Sequence, residues 1–279
     1  MMIGRRQWMA GGAALATTFA AGPLMAKGLK AKPIGIQLYT VRELFANDPM
    51  GTLEKVAAIG YREVEYGGGG YDKMDHAALR KTMDRLGLTS PSIHVGYESL
   101  ASDFDGAVAM TKALGADTLI VPYMADTHRN AEGWKAAVAD FNRYAERLKK
   151  VGLGFAYHNH DFEFTVKPDG VSLFDTLIAD ADPALVGLEL DLFWAIAAGE
   201  DPKAIIRRLP GRIYAYHVKD RTIDGKMTSV GKGVIDFADI FTLNAVAGVR
   251  HFYVENDQSP APYLPDIRTS FTALSRLRA

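Results

Sequence analysis

The 279-residue sequence contains no cysteine, which excludes disulfides, thiolate metal ligands and thiol nucleophiles together. Any metal bound by this chain must be held by His, Asp, Glu or water. A surplus of positive charge is also missing. With 32 Lys and Arg against 33 Asp and Glu, and a net charge of -1, there is little to neutralise a phosphate backbone, and nucleic acid is not expected as a partner. No long Pro- or Ser-rich linker and no low-complexity tract divides the chain, so nothing marks a domain boundary. No strand-like segment runs into GxGxxG, and the glycine run from Gly67 to Gly70 lacks that spacing, which argues against a dinucleotide-binding open sheet. What is present is an ordinary globular balance, 48% hydrophobic and 23% charged, enough for one substantial core.

The N-terminus reads differently from the rest. Arg5-Arg6 precedes Trp8-Met9 and an apolar Ala- and Gly-rich run to Met25, with small residues near Ala26. This is the order of a signal peptide, and the paired arginines point to the twin-arginine route, an address and not an anchor. A membrane helix fits poorly, because Gly11, Gly12, Gly22 and Pro23 break a short run. The expectation is a signal peptide over 1–26, a folded domain over 27–279, export to the periplasm and no stable membrane insertion.

Beyond the leader, short β-branched or aromatic runs alternate with longer stretches of helical period, the pattern of βα units around a parallel sheet. Eight strands are predicted, over 34–39, 63–66, 92–95, 118–121, 154–158, 187–191, 213–219 and 251–255. Helices over 52–59, 74–86, 104–114 and 134–151 carry apolar residues at three- and four-residue spacing. Gly60, Gly87, Gly115 and Gly152 stand where helices should stop. Eight right-handed units with no remainder close as a single-domain (β/α)8 TIM barrel.

Barrel chemistry sits at the C-terminal strand ends, and ionisable and polar residues crowd there: Gln37, Glu65, His94, His158 and His160, Glu189 and Asp191, His217 and Lys219, and Glu255. Period two puts the members of each pair on one face of their strand. A single strand-end histidine or glutamate reads first as a structural residue with a hydrogen-bond or charge partner. Several carboxylates and imidazoles in one mouth read differently, because a divalent cation satisfies them together where burial without one costs several kcal/mol per unpaired charge. Lys232, in a Gly-Lys-Gly segment after strand seven, lies where barrel loops often take anionic groups. The aromatic stretch from Tyr157 to Phe164 reads as loop packing or part of a sugar-stacking wall.

The motifs IGIQLYTVRE, SIHVG, AYHNHDFEF, LELDLFW, YAYHVKD, GKGVIDF and FYVENDQSP, in this order along the chain, resemble the sugar phosphate isomerase/epimerase family of xylose-isomerase-like barrels. That resemblance implies a divalent ion (manganese, magnesium, zinc or cobalt) held by an acidic residue of strand five, Asp of strand six, His of strand seven and Glu of strand eight. Matched by motif, the last three are Asp191, His217 and Glu255. Strand five departs from the pattern with YHNH, so His158 is taken as the fourth ligand and Glu163 as the fallback. Trp194 stands where a histidine often follows the Asp. The resemblance further implies a sugar isomerase or epimerase that removes a proton beside a carbonyl and passes through an enediolate. In that scheme Glu255 is the base, Glu189 and His160 are further acid/base groups, and Gln37, Glu65, His94, His160, Lys219 and Lys232 contact a small sugar substrate. A lyase or hydrolase of 3-keto-glycosides is the alternative. A periplasmic carbohydrate-binding protein is the non-enzyme reading, and assembly into a homo-oligomer stays open.

Overall fold

The computed structural model describes residues 32–277; the leader assigned to 1–26 lies outside them. Eight short parallel strands form one sheet: β1 Gly35–Gln37, β2 Glu63–Glu65, β3 Ser92–His94, β4 Thr118–Val121, β5 Gly154–His158, β6 Val186–Asp191, β7 Ile213–Val218 and, at the C-terminal end, β8 His251–Val254. Their order around the sheet is β2, β1, β8, β7, β6, β5, β4, β3, with every pair parallel. The two outer strands meet. Val64 N–H donates to Thr89 O at 2.9 Å and His94 N–H to Tyr66 O at 2.8 Å, which closes the barrel and removes its edges. Among the described residues a further, two-residue antiparallel ladder joins Asp220–Arg221 with Met227–Thr228. The predicted single-domain (β/α)8 barrel is what folds, with strand limits within about two residues, the usual uncertainty of such boundaries.

Local sequence explains the outer ring. Asp48, Asp75, Asp103, Asn130, Ser172 and Asp236 each precede a helix and accept from its third backbone amide, supplying the donor-satisfying cap that a helix start needs. Gly60, Gly87, Gly115 and Gly152 follow helices with positive φ, a backbone that a side chain would strain. The longest helix, Ala131–Lys150, buries Trp134, Val138, Phe141, Tyr144 and Leu148 on one stripe, and the Trp134 indole N–H donates to Leu173 O at 2.7 Å. No described helix is long and apolar enough to cross a membrane.

The core has two parts of very different character. A large apolar layer lies between barrel and helices. Inside the barrel the apolar cluster is small: Ile120, Ala156, Tyr214, Ala215 and Tyr253. Gly35 makes room for it, since a side-chain carbon there would overlap the Tyr253 ring. Much of the remaining interior is polar. Glu63 pairs with His251 toward the N-terminal ends of the strands, and above them Ser92 bonds to Tyr253 Oη at 3.0 Å and donates to Glu65. Above that again lies the ionisable cluster.

Candidate active site

Strand register builds the cluster. His158 is level with Glu189, and Asp191 with His217, so alternation brings histidine and carboxylate side by side across strands. Glu65, Glu189, Asp191 and His217 are fully buried, and His158 and Glu255 nearly so.

Two groups of donor atoms lie close enough to hold an ion: Asp191, His217 and Glu255 in one, and His94, His158, Glu189 and His217 in the other. In the first, His217 Nδ1 is 2.7 Å from Glu255 Oε2 and 3.9 Å from Asp191 Oδ2, while His158 Nε2 also faces Asp191 Oδ2 at 3.9 Å. Asp191 Oδ2 is buried and makes no hydrogen bond; the cation beside it is the Lys219 ammonium at 3.0 Å. This set, one imidazole and two carboxylates with the His158 imidazole at its edge, suits manganese, magnesium, zinc or cobalt in different degrees. The residues present therefore fit a divalent ion.

The resident positive charge is Lys219. Its ammonium lies 3.0 Å from Asp191 Oδ2, 2.7 Å from Glu255 Oε2 and 2.9 Å from Asp257 Oδ1. Burial works against the lysine's charge, but these three carboxylates outweigh it and hold its pKa above the ordinary value. Burial would also raise Glu255, yet Lys219 and His217 beside it keep it below the usual carboxylate range. For Asp191 burial prevails over Lys219 and His217, and its pKa rises to about 6. His94, though buried, is raised to about 9 by Glu65 and Glu189, and Glu189 and Glu255 likewise raise His217. Burial keeps His158 well below its ordinary value and takes His160 to about 3, so both present neutral imidazoles at neutral pH. Five carboxylates, Glu65, Glu189, Asp191, Glu255 and Asp257, thus face three cations, the Lys219 ammonium and the protonated His94 and His217, a surplus of acidic groups that a divalent cation would neutralise.

Above the cluster opens a cavity of about 500 Å³, lined by Tyr39, Gly67, Gly68, His94, Gly96, Pro122, Tyr123, His158, His160, Lys219, Glu255 and Asp257. Its size is that of an ordinary small-molecule site. Of the residues expected to touch substrate, His94, His160 and Lys219 line it. Gln37 and Glu65 do not: Gln37 Nε2 donates to Glu65 Oε2 at 2.9 Å, and both lie fully buried beneath the floor. Lys232 is exposed and outside the cavity. Its Gly-Lys-Gly segment does not offer amides to an anion, because Gly231 and Gly233 N–H donate to the buried Asp220 carboxylate at 2.8 and 2.9 Å. Glu163 is turned away as well. It accepts from Tyr157 Oη at 2.6 Å and from the His160 amide at 2.7 Å, so it shapes the turn after β5, and burial raises it to about 8.

Of the cavity residues that the sequence did not single out, three carry a charged or aromatic side chain, Asp257, Tyr39 and Tyr123. Asp257 stands two residues after Glu255 but in the turn past the strand end, where strand alternation no longer tells which way a side chain faces. Tyr39, in the short 3-10 helix Leu38–Val41 after β1, and Tyr123, in the loop after β4, are 40% and 48% exposed; a large aromatic just past a strand end was the available signal. They, together with His160, form the aromatic lining of the mouth. Tyr157, Phe162 and Phe164 are buried in packing.

A parallel eight-stranded barrel whose titratable groups converge on a cavity at its C-terminal mouth has the architecture of a barrel enzyme. Residues 53–245 match the xylose isomerase-like TIM barrel family, and the chain belongs to that family. An inosose dehydratase of Clostridium beijerinckii is 26% identical over 251 residues, covering 75% of this chain and 82% of the relative. The inosose dehydratase of Geobacillus thermodenitrificans is 28% identical over 149 residues, 47% of this chain and 49% of that relative. The chain thus spans about half the length of some curated relatives it matches. A solved sugar phosphate isomerase/epimerase of Parabacteroides distasonis superposes with a TM-score of 0.76 at 26% identity, covering 89% of this chain and 100% of that one.

Proposed function

We propose that this chain is a divalent-metal-dependent isomerase or epimerase of a sugar or keto-sugar, working through an enediolate. The observation that carries the reading is the convergence of Asp191, His217 and Glu255, whose donor atoms all lie within 4.8 Å of one another at the cavity. His158, Asp191, His217 and Glu255 would hold the ion. When bound, it polarises a carbonyl and acidifies the adjacent C–H. Glu255, ionised and in the cavity wall, is the group that takes that proton, with His160 and Glu189 as further acid/base candidates. His94, His160 and Lys219 orient sugar hydroxyls, and Tyr39 and Tyr123 give the ring an apolar face.

The test is proton exchange. Incubation with free, phosphorylated and 3-keto sugars in deuterated water should label one carbonyl-adjacent carbon, and a chelator should stop the labelling until manganese, magnesium, zinc or cobalt is restored. Labelling that persists in the chelator would refute metal dependence; labelling of no sugar would refute the reaction class. The second reading, elimination from a keto-sugar or 3-keto-glycoside, begins with the same proton removal and is favoured by relatives that are dehydratases. Release of water or an aglycone instead of a rearranged sugar would select it.

Export belongs to the same proposal, since a periplasmic enzyme meets free sugars and glycosides more readily than phosphorylated ones. Replacing Arg5 and Arg6 together by lysine is expected to retain the protein in the cytoplasm, because the twin-arginine receptor reads the pair. Fractionation giving unchanged periplasmic recovery would exclude that route.

A further inference from the structure

The two histidines assigned to the ion each turn a second nitrogen to the opposite side. His158 directs Nε2 toward Asp191, and its Nδ1 lies 3.1 Å from Glu189 Oε2. His217 directs Nδ1 toward Asp191 and Glu255, and its Nε2 lies 2.8 Å from Glu65 Oε2 and 3.0 Å from Glu189 Oε2. The carboxylates behind them are themselves anchored. Glu65 accepts from Gln37 and Ser92, and His94 Nε2 bridges Glu65 and Glu189 at 3.1 and 2.7 Å.

We infer that Glu189 and Glu65 are positioning residues that fix opposite tautomers on the two ligand histidines, His158 carrying its proton on Nδ1 and coordinating through Nε2, His217 carrying its proton on Nε2 and coordinating through Nδ1. An imidazole can give only one lone pair to an ion while its other nitrogen keeps a proton, and a carboxylate on the far side decides which. The arrangement also accounts for the depth of Gln37 and Glu65. They serve the ion's ligands from below and leave the cavity wall to other groups.

This inference rests on the metal-site reading, so the first measurement is made on the intact protein loaded with cadmium-113. Nitrogen-15 spectra of the histidine side chains should show cadmium coupling at His158 Nε2 and His217 Nδ1, with protons retained on the other two nitrogens. Cadmium that does not bind takes down the metal site and this inference together. Cadmium that binds with coupling at His158 Nδ1 or His217 Nε2 overturns the inference alone. The second measurement is affinity and stoichiometry. Glu189→Gln and Glu65→Gln should each weaken cobalt binding by about 10 to 100-fold, the usual effect of losing a carboxylate behind a ligand histidine, with one ion per chain in both variants and in the parent. Unchanged affinity, or two ions in the parent and one in Glu189→Gln, would make Glu189 a bystander or a ligand of a second ion. If a variant does not fold, the cadmium spectrum of the parent decides alone.

Discussion

Replacing Glu255 by glutamine is expected to lower turnover by about 10² to 10⁴-fold, the range that follows loss of a general base, while metal affinity falls only modestly. The carboxylate stands in the cavity wall and at the same time touches Lys219 and His217. Those two neighbours keep it ionised throughout the neutral range against the effect of burial. A carboxylate held so acidic is a weak base, and it can work only on a C–H already acidified by an adjoining polarised carbonyl. Glutamine preserves the shape and one oxygen ligand but cannot accept the proton. Exchange of the substrate C–H with deuterated water should therefore vanish along with turnover. Near-normal exchange in the metal-loaded variant would leave Glu255 a ligand only and move the base to His160, which lines the same cavity, or to Glu189 beneath it.

Asp191→Ala is expected to abolish metal binding and activity together. Asp191 has two jobs that the structure separates by oxygen atom. Oδ1 accepts from the Trp194 amide at 2.8 Å and caps the helix Leu192–Ala197, and Oδ2 faces the imidazoles and Lys219. Alanine removes both, and the lost cap alone costs about 0.5–2 kcal/mol. Asparagine keeps the cap, because Asn and Asp are equivalent there, but removes the negative charge from the ion. Calorimetric titration should thus find both variants without bound metal, with thermal unfolding of metal-free Asp191→Asn closer to the parent than that of Asp191→Ala. Full metal occupancy in either variant would remove Asp191 from the site.

Both variants act on residues that could be named from the sequence, and the reason is physical. Alternation of strand and helix is a local property, written in the spacing of apolar side chains, and the caps that bound helices such as His76–Leu86 and Phe104–Leu114 are single residues next to the turn they close. Once eight such units are counted, the barrel and the end that carries its chemistry follow from the handedness of the βα crossover. Hence the sequence alone puts Asp191, His217, Glu255, His158 and Lys219 at one mouth.

Period two tells which face a side chain takes but not how deep it sits, because depth depends on the stagger of tilted strands around a closed barrel. That is why Gln37 and Glu65 were expected at the substrate and lie under the floor, beside Ser92. Loops carry no period at all. Lys232 projects to solvent because Asp220 gathers the amides around it, Glu163 folds back on Tyr157, and Tyr39, Tyr123 and Asp257 reach the cavity from three separate connections past strand ends. The barrel and the set of ionisable groups at its mouth are legible along the chain, because both arise from patterns within one strand or one turn. Which of those groups face the cavity, which stand behind the histidines, and which leave the site altogether depends on contacts between residues far apart in the chain, such as Glu65 with His217, 152 positions apart, and those exist only in the folded barrel.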